Sequence, residues 1–218
     1  MSFRVYAGRV RDRGLPFGRR HRALRNAVGC YCPLGFNGTW AYLSAAGDLG
    51  KDEAALLHAL DRLEASRTVW IGEMEAFAER RGAEKARHRR TPRRAETRHL
   101  LGWRWPGPEG RQAVLGEVGR LRAVHHRSPF PDVPAEDKDA LAELDTWLAG
   151  CASAYLANGA DLDAGRRDAI ADRLPQLRRH VARLGRPWDF PQAYEHFRLL
   201  LKTAELIHND TAARDTRG

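Results

Sequence analysis

The chain has 218 residues, 43% hydrophobic and 30% charged, which suits one core-forming domain or one domain with a basic appendage. Its net charge of +9 points to an anionic partner, and no run approaches the ~18 apolar residues of a membrane span, so no membrane partner is expected. The N-terminal MSFRVYAGRVRDRG lacks the apolar core of a secretory signal, and three cysteines without repeated spacing do not make a disulfide framework, so a reducing cytoplasm is expected.

Residues 3–7, with Phe3, Val5 and Ala7 alternating with Arg4 and Tyr6, read as a short edge strand or an extended basic arm. Residues 19–30 read as a short basic helix, apolar at Ala23, Leu24, Ala27 and Val28. After the loop CYCPLGFNGTW, a second short helix is predicted from Thr39 to Ala46. A long helix then runs over 52–81, its seam carried by Leu56, Leu60, Leu63, Trp70, Met74 and Phe77, with Gly82 ending it. Arg67 interrupts the seam, either by laying its methylenes over apolar neighbours or by pairing with a facing acid.

The second half is more regular. A helix is predicted from Pro108 to about His126, and Gly116 and Gly119 within it suggest close approach of another helix. Leu141, Leu144, Leu148, Cys151 and Tyr155 share the stripe of the next helix, which Asn158 and Gly159 end. Asp161 or Asp163 caps another, bearing Ile170, Leu174, Leu177, Val181 and Leu184; Pro175 should kink it and Gly185 closes it. The last helix buries Tyr194, Phe197, Leu200, Leu201 and Ala204. Two Asp-x-Pro sequences, at Asp132 and Asp189, read as helix starts, with Phe130 and Trp188 as staples. The fold expected is all-α: a single helical bundle of about five to six helices with a basic N-terminal arm and a basic loop.

Charge is distributed unevenly. Residues 1–99 are +9 and residues 100–218 are neutral, so the chain reads as a basic N-terminal half and a neutral helical half packed as one domain. Within the first half, residues 1–25 are +7, residues 26–79 are −5 and residues 80–98 are +7. Only four of the 37 basic residues are Lys, which suits a GC-rich bacterial genome; codon usage explains the choice of Arg and not its location. Two like-charged blocks repel unless an anion lies near.

The stretch RRGAEKARHRRTPRRAETR supplies planar guanidinium forks suited to phosphate. Gly82 and Pro92 make it a helix end and turn, which favours backbone contact over base reading. The candidate nucleic-acid contacts are Arg19, Arg20, Arg22, Arg25, Arg87, Arg89, Arg90, Arg93, Arg94 and Arg98. Trp103 and Trp105 either stack on unpaired bases or anchor the loop in the core. The partner expected is DNA or RNA; an acidic protein partner and a homodimer are the alternatives.

Other chemistry is thinly represented. Cys30-x-Cys32, with His21, His99, His125 and His126 nearby in type, is one short-spaced pair where structural zinc wants two, so no metal is expected. No nucleophile elbow or phosphate-binding glycine loop is present, which leaves catalytic residues unassigned and no cofactor expected. A helical enzyme built from scattered residues is the remaining reading. Glu195, His196, His208, Asn209 and Asp210 read as solvated polar faces.

Overall fold

The computed structural model describes residues 1–87, 102–185 and 189–215. Among them are eight α-helices and no strand, so the chain is all-α with more helices than the five to six expected. The chain divides into two compact units, Met1–Gly110 and Arg111–Gly218, the first with net charge +9 and the second neutral.

In the N-terminal unit, α1 is Phe3–Arg11, α2 Phe17–Cys30, α3 Phe36–Ser44 and α4 Glu53–Ala86. The expected strand at 3–7 is helical. Phe3, Ala7 and Val10 are buried while Val5 is 44% exposed, a spacing of four and three that continues past the five residues whose alternation suggested a strand. α1 packs on α2 and α4 through these residues, and Phe3 meets the Tyr31 ring edge-on. Ala23, Leu24, Ala27 and Val28 of α2 are buried, as its pattern implies.

Asp52 caps α4, its carboxylate accepting from the Ala54 N–H at 2.8 Å. The helix has 34 residues, roughly 50 Å of rise, and continues past Gly82, whose surroundings are open. Leu56, Leu60 and Leu63 are fully buried, whereas Trp70, Met74 and Phe77 are half-buried, so the seam is covered mainly over its first half. The Tyr31 hydroxyl meets the buried Ser66 at 3.0 Å, and burial pushes the Tyr31 phenol up to about 12. Arg67 follows neither reading as stated: the guanidinium itself lies over the Phe3 ring, 4.7 Å from its centre, and no ion pair is found among the described residues. The segment 102–110 returns to this unit. Arg104 donates its N–H to the Pro33 carbonyl and pairs with Glu73, and Trp105 is buried edge-on to Tyr42.

In the C-terminal unit, α5 is Gly110–Arg127, α6 Lys138–Ala157, α7 Ala164–Leu184 and α8 Pro191–Asp215, with a 3₁₀ turn at Ala135–Asp137 before α6. α6, α7 and α8 pack against one another. Their core contains Leu144, Leu148, Ile170, Leu177, Val181 and Phe197, all buried; Leu201 is only half-buried. Asp163 is the cap of α7, accepting from the Arg166 N–H at 2.8 Å, and the helix runs on through the exposed Pro175.

Several local expectations are corrected. Asp132 does not cap α6: the 3₁₀ turn begins after Pro134, where the Asp137 N–H reaches the Pro134 carbonyl. At α8 the carbonyl of Phe190, not Asp189, receives the first helical bond, from Tyr194 at 2.9 Å. Gly116 faces open space, and Gly119 meets only Leu156 at an ordinary 3.7 Å, so neither marks a tight helix crossing. A closer approach is at Gly185, where a Cβ would lie 3.2 Å from the Tyr194 ring. Trp188 and residues 88–101, including His99, lie outside the described residues.

Candidate functional site

A basic surface lies between α1 and α2. A cleft of about 360 Å³ there is lined by Arg9, Arg19 and Arg22 together with Tyr6, Leu15, Ala23 and Asn26. Helical spacing makes the row: Arg19, Arg22 and Asn26 follow one another at three and four residues, opposite the buried face of α2. Among the described residues none of the three arginines has an ionic partner, and no acid lines the cleft. Beside it, the Arg25 guanidinium stands 5.9 Å from the Phe36 ring and 5.6 Å from the Trp40 ring. Those two rings are parallel with centres 6.5 Å apart, and Phe36 is among the exposed large side chains.

Of the other arginines of the first basic block, Arg11, Arg13 and Arg20 are paired with acids. Arg11 bonds Asp61 at 2.5 Å and Glu64 at 2.6 Å. Arg20, expected on the phosphate surface, is 4% exposed: its Nε donates to the Val10 carbonyl at 2.7 Å and its NH1 to Glu53 at 3.0 Å. It ties α1 to α2 and α4 and is not available to a ligand. Arg19, Arg22 and Arg25 keep their exposure. Arg87 is exposed just after α4, and Arg89, Arg90, Arg93, Arg94 and Arg98 lie outside the described residues. Arg80 is 13 residues beyond the α4 position that Phe3 touches, about 20 Å along the helix, so the cleft forms without the second basic block. Trp105 is an anchor, whereas Trp103 stays on the surface at 36% exposure.

The C-terminal unit carries a different chemistry. His125 of α5 and His196 of α8 each place Nε2 2.7 Å from the same oxygen, Oδ1 of Asp145 on α6. The side chains are 14%, 6% and 18% exposed for His125, His196 and Asp145. Burial pushes the Asp145 carboxyl up, but hydrogen bonds and charge from the two histidines outweigh it and hold the group below the usual carboxylate range. The imidazole planes lie with centres 4.8 Å apart, and Phe130 sets its ring edge-on to His196 and Phe197. Farther along α5 and α8, the buried Glu117 accepts from Arg120 and from Lys202 at 2.7 Å.

His196 is therefore not on a solvated face. Nor is Asn209, which is buried, or Asp210, which accepts a 2.7 Å bond from the Tyr155 hydroxyl. His125, considered only as an accessory to the cysteines, instead joins Asp145 and His196. Among the described residues these three are the one set of His, Cys, Asp or Glu groups close enough to share a metal ion. Cys30 is exposed and Cys32 half-buried, both beside Trp103, while burial pushes the Cys151 thiol up to about 11 and leaves it inert.

A sequence signal for the triad exists. His125 extends the buried row Val114, Val118, Leu121 by one more step of four, and His196 lies beside Phe197 between Ala193 and Leu200. A titratable residue on an apolar row is a group that the fold must satisfy. No helix of the described residues is long and apolar enough to cross a membrane. No protein-family model, curated protein or solved structure matches this chain.

Proposed function

We propose that the N-terminal unit binds the phosphate backbone of nucleic acid, with the α1–α2 cleft as its anchoring surface. The observation that carries this reading is the lining of the cleft: three arginines without ionic partners among the described residues, and no acid among the lining side chains described. Guanidinium groups bond two phosphate oxygens at once, so a concave row of them suits a sugar–phosphate chain. The Arg25–Phe36–Trp40 group adds a flat, cationic platform on which an unpaired base stacks. Residues 80–98, +7 by sequence, supply a second set of phosphate contacts that include Arg87.

Such contacts position the ligand and do not read its sequence. Four engaged arginines give log K a slope of about −3.6 against log salt on duplex DNA and about −2.8 on single strands, and every further contact steepens it. Fluorescence anisotropy at several salt concentrations, on duplex DNA, single-stranded DNA and RNA, measures this. The double variant R19A/R22A flattens the duplex slope by about 1.8. Undetectable binding to all three at low salt refutes the reading and moves the cleft to an acidic protein partner.

A further inference from the structure

We propose that His125, Asp145 and His196 bind a divalent first-row transition-metal ion such as Zn²⁺. The three groups come from three helices, 20 and 51 residues apart in sequence, and their ligand atoms lie within 4.8 Å of one another. Two imidazole nitrogens and one carboxylate oxygen suit zinc, iron, cobalt or nickel; calcium and magnesium favour all-oxygen sets.

The geometry is reached by side-chain adjustment. Ligands about 2.0–2.2 Å from a tetrahedral ion stand roughly 3.3 Å apart. Each Nε2 to Oδ1 separation, now 2.7 Å, opens by about 0.6 Å on that basis, and the two imidazole nitrogens, within 4.8 Å of each other, close by up to about 1.5 Å, both side-chain movements. In the metal-free triad both imidazoles carry hydrogen on Nε2 and donate it to Asp145. Metal entry needs the lone pair there, so each neutral ring holds its proton on Nδ1 instead. A ligand carboxylate must be ionised to bind the metal.

Three protein ligands leave a tetrahedral ion one open position for water, which is the pattern of sites that perform chemistry; structural zinc sites are closed by a fourth side chain. The surroundings are suitably dry on one side. Phe130 and Phe197 pack edge-on around His196, and His196 is nearly fully buried. The inference is independent of the phosphate-binding cleft, which belongs to the other unit.

The test uses the full chain, stripped of metal by chelator and dialysed. Titration with Co²⁺ should give visible d–d absorption that saturates at one equivalent and is displaced by Zn²⁺. Zn²⁺ should also raise the melting temperature, because an ion that binds only the folded state stabilises it. Losing a group that merely supports a metal ligand costs about 10–100-fold in affinity, so H125A, D145N and H196A should each weaken Co²⁺ binding by at least about a hundredfold. The control H126A, on the exposed neighbour, should not, and C30S/C32S should leave the spectrum unchanged. H196Q retains an amide donor for Asp145; if the alanine variants fail to fold, its folded form should still lose the cobalt spectrum. Absence of stoichiometric binding by the wild type overturns the proposal. So does a cobalt spectrum that survives H125A and H196A, or one that disappears in C30S/C32S.

Discussion

Replacing Arg20 by Met separates the structural arginines of the first basic block from the binding ones. The side chain is 4% exposed and gives two bonds, Nε to the Val10 carbonyl at 2.7 Å and NH1 to Glu53 at 3.0 Å. Met keeps most of the apolar stem and removes both donors. Glu53 is 45% exposed and returns to water, so the full ~3–5 kcal/mol of a broken buried pair does not apply. What remains is a buried carbonyl deprived of a charged donor, a loss of about 1.5–3 kcal/mol. The expected destabilisation is therefore about 1.5–3 kcal/mol. Urea denaturation followed by tryptophan fluorescence reads it, since four of the six tryptophans, Trp40, Trp70, Trp103 and Trp105, belong to that unit. R19A, on an exposed face and without an ionic partner among the described residues, should stay within ~0.5 kcal/mol of wild type. The binding readout runs the other way. R19A should flatten the salt slope by about 0.9, one phosphate's share, and R20M should leave it unchanged. The reasoning fails if R20M is as stable as wild type and also flattens the slope, because Arg20 would then be reaching outward to the ligand.

In the C-terminal unit, Leu148→Ala and Phe197→Ala should each cost about 2–5 kcal/mol by thermal or urea denaturation; less than ~1 kcal/mol at both would show the core is centred elsewhere. Arg67→Leu exchanges a guanidinium–ring contact worth about 0.5–1 kcal/mol for a better apolar fit to Phe3, so its stability should change by less than ~1 kcal/mol. Asp145 makes acid stability a test of the triad. Its folded carboxyl lies below the unfolded value of about 3.9, so the stability it confers is complete above that pH and is lost as pH falls through the lower folded value. The gap between wild type and D145N should accordingly be widest above about pH 4 and close toward pH 2; a constant gap over that range counts against the hydrogen-bonded triad.

The helices were legible wherever the apolar period ran long enough. α6 and α7 announce themselves by stripes that recur over 15 residues, and the same residues are buried in the fold; on the shorter stripe of α8, Phe197, Leu200 and Ala204 are buried while Tyr194 and Leu201 are half-buried. α1 was not, because five residues fit a period of two as well as one of 3.6, and only its contact with α2 and α4 selects the helix. The long helix shows a related limit. Its seam repeats from Leu56 to Phe77, yet burial is complete only to Ser66, because burial depends on what covers a face and not on the face itself.

For function, the sequence by itself determined the sign and position of the charge: +9 in the first half and none in the second. It could not say which arginines face outward. Arg19, Arg20 and Arg22 are equivalent as letters, but helix geometry turns Arg20 inward onto the Val10 carbonyl and leaves the other two along a cleft with Arg9. The meeting of His125, Asp145 and His196 likewise belongs to the tertiary structure. No spacing rule connects residues on three helices, and their apposition exists only once the apolar rows of α5, α6 and α8 have packed and brought the polar groups on those rows within bonding distance.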